Sequence, residues 1–147
     1  DAVWYRLREY YHDARATGIQ KTDEEYADAL EALVGDLEPE AVVVDPSAAS
    51  FIQCLRRRGR WMVEPADNQV LTGIRRVASA LSAGQIRIHS SCKDAIREFA
   101  LYRWKEGASR DVPLKQDDHA MDDIRYFVTR FLEGDEPGFY VSGVSRR

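Results

Sequence analysis

Apolar residues recur along the chain with two different spacings, which predict alternating strands and helices. From Val3 to Tyr11 apolar and polar residues alternate loosely, which is typical of a strand with one buried face. A continuous, β-branched apolar run at 41–44 predicts a strand that is buried on both faces of a central sheet. Shorter apolar runs at 61–63 and 86–88 predict two further strands.

Segments with helical spacing separate these strands. Thr22 and Glu25 have the spacing of a capping box, and the helix that they begin is expected to end at Gly35. Residues 14–20 are expected to form a loop and residues 134–147 a loose C-terminal tail. The same criteria predict four more helices, at about 48–58, 70–83, 91–104 and 118–131. The order β-α-β-α-β-α-β-α-α predicts an α/β fold in one domain, residues 1–133.

Composition bounds the class of protein. The 147 residues are 44% hydrophobic and 31% charged, as in a soluble globular domain. The mean hydropathy of −0.48, and the lack of an apolar run of about 20 residues, exclude a membrane span. The net charge of −4 argues against a general nucleic-acid coat protein, but it is compatible with an acidic metal site. Cys54 and Cys92 have no metal-binding spacing and are expected to be reduced thiols.

Three acidic or imidazole side chains are candidates for chemistry. Asp45 follows the buried strand, at the sheet edge where open α/β folds place ligands; the alternative is a turn aspartate that precedes Pro46. His119 and Asp122 are three residues apart near a helix start, so both side chains could reach one divalent ion. The alternative for this pair is a solvated helix face, with acidic residues that suit the helix dipole.

Arginines form a second candidate site. They cluster at the end of one helix, at Arg56, Arg57, Arg58 and Arg60, and such a cluster could bind phosphate groups of DNA. The alternative is a solvated face whose cations are favourable at a helix C-terminus. The sequence has no P-loop, GxGxxG, GxSxG or HExxH motif, so a built-in ATPase is not expected.

Several short segments, taken together, indicate a protein family more specifically than any one of them does alone. The set comprises Val42–Ala48, Ala66–Asn68, Gly73-Ile74, Ile86–His89, Glu98 with Tyr102 and Trp104, and Asp117–Asp122 with Arg125-Tyr126. Together they resemble the nuclease domain of phage terminase large subunits of the PBSX-like group, the DNA-packaging motors of tailed phages. The resemblance extends from about Tyr5 to Phe131.

The resemblance implies an RNase H-like, three-layer domain with a central mixed sheet. It implies a metal-dependent endonuclease that cuts concatemeric double-stranded DNA with two divalent metals, Mg²⁺ or Mn²⁺. Asp45 is similar to the family's ligand on the central strand, and His119 and Asp122 are similar to its pair on a late helix. The implied partners are duplex DNA, the terminase ATPase domain, the small terminase subunit and the portal, in the cytoplasm of an infected or lysogenic bacterium.

The chain departs from the family pattern at two places. The family's first catalytic Asp lies on a strand that would precede this sequence, so the first two strands and that Asp are expected to be missing. The strand at 42–44 would then have an unpaired apolar edge, and we expect association through that edge or a segment that fills the gap. The second departure is Asp123, where the family more often has a small residue.

Two other functions stay open on the sequence alone. The missing Asp favours a non-catalytic module that binds DNA or a capsid component through the arginine cluster. The chain could also be another RNase H-like nuclease, such as a junction resolvase.

Overall fold

A computed structural model describes residues 3–12, 14–101, 119–132 and 138–143. Five strands and six helices lie in these ranges. The strands are β1 (Trp4–Arg6), β2 (Pro39–Val44), β3 (Val63–Pro65), β4 (Ile86–Ile88) and β5 (Phe139–Gly143). The helices are α1 (Ala14–Thr17), α2 (Asp23–Val34), α3 (Ala49–Arg58), α4 (Val70–Ser82), α5 (Lys93–Leu101) and α6 (His119–Phe131).

The described strands form two parallel sheets. One has the order β3-β2-β5 and the other pairs β1 with β4, and each pairing is parallel. The α/β class predicted from the sequence is therefore confirmed. The single mixed sheet that we expected is divided in the described residues, and antiparallel pairs do not occur among their strands.

β2 is the centre of the core because both of its faces are covered. Val42 and Val44 pack with side chains of α2 and α3, whereas Ala41 and Val43 pack with Tyr126 and other residues of α6. This confirms the prediction of a strand buried on both faces. A separate cluster joins α4, α5 and β4 to the opposite side of α6, so that α6 contributes to the cores beneath both sheets.

Several predicted elements need correction. A short helix, α1, occupies part of the expected loop at 14–20, β1 is only three residues long, and β3 lies about two residues later than 61–63. The capping box of α2 is present with both reciprocal hydrogen bonds, and Gly35 ends the helix with a φ of 59°. The expected helix start near Asp118, the residues 102–104 and Asp1 lie outside the described residues.

The expected loose tail contains β5, and this prediction is wrong for residues 139–143. β5 pairs in parallel with β2 along its whole length, with one irregularity in register between Pro39 and Ala41. The apolar edge of β2 explains the pairing, since an unpaired edge at a buried strand leaves backbone groups without partners. The gap beside β2 is thus filled by a segment of the same chain, which is one of the two outcomes that we expected.

In the described part of the chain, no helix has the length and apolar character that a membrane crossing requires.

Candidate active site

Asp45 lies at the C-terminal end of β2, where the central strand stops at Pro46. The residue is buried, with 6% of its surface exposed. Its Oδ1 accepts hydrogen bonds from the backbone N–H and the hydroxyl of Ser47, at 2.9 and 2.8 Å. This Asx turn is the alternative that the sequence suggested for Asp45. It occupies one carboxylate oxygen and fixes the direction of the side chain at the edge of the sheet.

Asp122 lies on the first turn of α6 and is also buried, with 2% of its surface exposed. Tyr126 lies one turn later on the same helix and packs against the face of β2. Burial, followed by the negative charges of Asp45 and Asp122, raises the pKa of the Tyr126 phenol. Both carboxylates therefore act on one phenol, and the fold brings together two of the three predicted metal ligands.

Arg125 is the cation of this buried group. Its Nη2 donates to Asp122 Oδ1 at 3.2 Å, and its Nη1 donates to Asn68 Oδ1 at 2.7 Å. Both members of the Arg125–Asp122 pair have side chains that are only 2% exposed. Arg125 and Asn68 belong to the segments that carry the family resemblance, but the sequence alone assigned no role to either. A glycine at position 73, inside a helical pattern, was the available signal of a close approach.

His119, the third predicted ligand, packs against a tyrosine of the N-terminal segment. Its ring meets the ring of Tyr11 edge-on, with centroids 5.8 Å apart. It lines a cleft of about 260 Å³ between the two sheets, together with residues of β1, β2 and β5. Asp45 and Asp122 do not line this cleft.

Asp123, the residue where the family more often has a small side chain, joins the two sheets. Its Oδ1 accepts from Arg6 Nη1 of β1 at 2.9 Å and from the hydroxyl of Ser142 of β5 at 2.7 Å. Burial disfavours the charged form of Arg6, but Asp123 and Glu9 outweigh it and raise the pKa of the guanidinium. Asp123 is thus engaged in an ion pair, which the sequence did not indicate.

The described residues provide only some of the ligands that a site for divalent cations requires. In the ranges that the structure describes, no three His, Cys, Asp or Glu side chains are grouped closely enough to hold a metal. Asp45 and Asp122 are hard oxygen donors, and Mg²⁺ is commonly bound through one or two carboxylates while it keeps several waters. This pair suits one such ion, but the described residues do not provide the ligands of a second.

Glu98 is a buried acid that sequence reasoning left without a role. It lies on α5 with no exposed surface, and its Oε1 accepts from the backbone N–H groups of Ala120 and Met121, at 2.9 and 3.1 Å. A carboxylate at this position satisfies two donors of the first turn of α6. Burial raises the pKa of Glu98 to about 7, although these hydrogen bonds and Tyr11 oppose the rise.

The predicted DNA-binding arginines are largely engaged with the protein itself. Arg58 forms ion pairs with Glu24, Asp28 and Glu31 of α2. Arg56 donates to the carbonyl of Val63 at 3.1 Å, and Arg60 lies over the ring of Trp61. Arg57 is exposed at the end of α3. DNA binding by Arg56, Arg57, Arg58 and Arg60 stays a prediction.

Solved structures of a phage large terminase share this architecture. The large terminase from a thermophilic bacteriophage, in complex with ADP, superimposes with a TM-score of 0.86 at 45% sequence identity, over 91% of this chain and 35% of that one. This chain is homologous to part of a phage large terminase. A second crystal form of the same terminase gives a TM-score of 0.85 at 45% identity, over 91% of this chain and 34% of the other.

A curated relative agrees with this homology at lower identity. The large terminase subunit of Escherichia phage T5 is 26% identical over 138 residues, which cover 90% of this chain and 30% of the relative. The chain thus spans about a third of the length of the large terminases that it matches. No protein-family model matches it. The α/β architecture is consistent with a terminase domain of RNase H-like type.

Proposed function

We propose that this chain is the nuclease part of a phage large terminase and cuts double-stranded DNA with the help of a divalent cation. The observation that carries the proposal is a pair of buried carboxylates: Asp45 follows the C-terminal end of the central strand, and Asp122 lies on the first turn of the helix that packs against this strand. Ligands bind at this edge in open α/β sheets. The sequence has no P-loop, which favours the nuclease over the ATPase part of such a protein.

Asp45 and Asp122 are the residues that would hold the cation, and His119 is the further candidate that the family resemblance suggests. Bound Mg²⁺ or Mn²⁺ would supply an activated water and would stabilise the charge on a phosphodiester. The buried ion pair with Arg125 orients Asp122, and the turn at Ser47 orients Asp45. The proposed wider assembly adds an ATPase domain, a small terminase subunit and a portal, in the bacterial cytoplasm.

Nicking of supercoiled plasmid DNA with added Mn²⁺ tests the proposal, in a protein that extends this chain upstream to supply the family's first catalytic Asp. We expect Asp45→Asn and Asp122→Asn each to reduce nicking at least a hundredfold. The matched control is Asp36→Asn, which changes an exposed aspartate in the turn after α2 and should leave nicking unchanged. Equal nicking by all four proteins would overturn the proposal.

The same preparation separates the proposed nuclease from a non-catalytic module. Retention of duplex DNA without Mn²⁺, together with no nicking at any metal concentration, would favour a docking function for this chain. Preferential cleavage of branched over linear duplex would favour a junction resolvase instead.

A further inference from the structure

We infer that Arg125 is a positioning residue that holds Asp122 in the orientation needed to bind the cation, and that Gly73 on α4 makes its position possible. This inference rests on the proposed function, because it assigns Asp122 to a metal site. It adds three residues to those on which the site depends: Arg125, and Asn68 and Gly73, which contact Arg125. It also assigns a role to the contact between α4 and α6.

The guanidinium of Arg125 bridges two elements that flank the end of β2. One nitrogen binds Asp122 on α6, and the other binds Asn68 in the segment between β3 and α4. That segment runs beside the end of the central strand, since the N–H of Ala66 donates to the carbonyl of Val44 at 2.8 Å. The planar fork of an arginine, held at both ends, fixes its direction in a way that a lysine ammonium cannot.

Gly73 provides the space for the aliphatic part of Arg125. A Cβ atom at this position would lie 2.4 Å from Arg125 Cγ and 2.7 Å from Arg125 Cδ. Both distances are far shorter than a van der Waals contact. An alanine at position 73 would therefore displace the arginine stem without changing any charged or hydrogen-bonding group.

Stabilisation of the fold does not by itself explain why the ion pair between Arg125 and Asp122 is buried. Two buried charges lose their hydration, and well-packed apolar side chains of similar volume often stabilise a fold as well or better. A buried ion pair beside Asp45 and Tyr126 has a clear use if the carboxylate of Asp122 must be kept in one orientation. Partners that orient a metal ligand in this way typically change metal affinity 10–100-fold when they are removed.

Calorimetric titration with Mn²⁺ tests the inference without relying on activity. We expect Gly73→Ala to weaken Mn²⁺ binding about tenfold or more. The matched control is Thr72→Ala, which introduces the same residue at the exposed neighbouring position and should not change the affinity. Asn68→Ala removes the second anchor of the guanidinium without steric conflict and should also weaken binding, even if Gly73→Ala does not fold.

A double substitution tests whether Gly73 acts through Arg125. In an Arg125→Ala background the stem is absent, so Gly73→Ala should cause no further loss of Mn²⁺ affinity. Thermal unfolding of each variant measures the structural effect separately. A purely structural role predicts lower melting temperatures with an unchanged Mn²⁺ affinity.

The outcomes distinguish the inference from the function on which it rests. If Asp122→Asn leaves Mn²⁺ binding unchanged, the proposed metal site itself is wrong. If Asp122→Asn weakens binding, but Asn68→Ala and Arg125→Ala leave it unchanged or strengthen it, the site stands and the positioning role of Arg125 is overturned.

Discussion

The stability of this protein should depend on pH through Glu98, a residue of α5 that is wholly buried against the N-terminus of α6. Burial raises its pKa from an ordinary value of 4.5 to about 7. A carboxyl group with a raised pKa in the folded state contributes its full stability below pH 4.5, where it is protonated in both states. That contribution is lost as the pH rises through about 7, because the folded state must then bury the charge.

The size of the effect follows from this change in pKa. The interval between 4.5 and about 7 corresponds to about 3 kcal/mol of unfolding free energy, since one pH unit is worth roughly 1.4 kcal/mol. Glu98→Gln removes the titration and keeps an oxygen that accepts from Ala120 and Met121. The variant should match the parent near pH 4.5 and be more stable by up to about 3 kcal/mol at pH 8.

Urea unfolding of both proteins in EDTA, at several pH values from 4.5 to 8, measures this difference. Glu38→Gln is the control, because Glu38 is exposed and lies outside the helices. A difference between Glu98→Gln and the parent that does not change with pH would refute the reasoning. The same result would follow if Glu98 stayed ionised in the folded protein over the whole range.

Two other contacts lead to predictions. Asp123→Ala removes the carboxylate that accepts from both Arg6 and Ser142. We expect the free energy of unfolding in urea to fall by about 2 kcal/mol, because Arg6 loses a partly buried counter-charge. A loss below about 0.5 kcal/mol would contradict this role of Asp123. A chain that ends at Pro137 lacks β5 and exposes the apolar edge of β2, so we expect it to form oligomers by size exclusion with light scattering. Identical elution of the shortened chain and the 147-residue chain would show that β5 does not protect this edge.

The sequence predicts best those elements whose local pattern agrees with their burial. The β-branched run of β2 has apolar side chains on both faces, and the structure buries both. The capping box at Thr22 forms as expected because its two hydrogen bonds are local. These features need no knowledge of the rest of the fold.

Elements stabilised by distant partners could not be predicted in this way. β5 follows a proline and a glycine, and its short Phe-Tyr-Val run favours a strand, but its parallel pairing depends on the edge of β2. At the start of α5, the N–H groups of Asp94 and Ala95 donate to the carboxylate of Glu9, which is far away in sequence.

In the candidate site, too, the features that depend on local sequence were predicted, whereas those that depend on distant residues were not. Asp45 and Asp122 were identified by position and by resemblance, and the fold places both near Tyr126. Arg125 was missed as a partner because its role depends on Asn68 and on the space at Gly73, which are 57 and 52 positions away. Spacing within one helix could suggest an ion pair with Asp122, but not the burial that gives it importance.

The placement of α6 beneath both sheets has a consequence for how the molecule opens. One core joins β2 to α2 and α3, another joins α4 and α5 to β4, and α6 packs on each side of this division. Amide hydrogen exchange should therefore separate two cooperative units, with α6 exchanging as slowly as the more stable of them. Asp123, which links Arg6 to Ser142, would set how strongly the opening of one unit is coupled to the other.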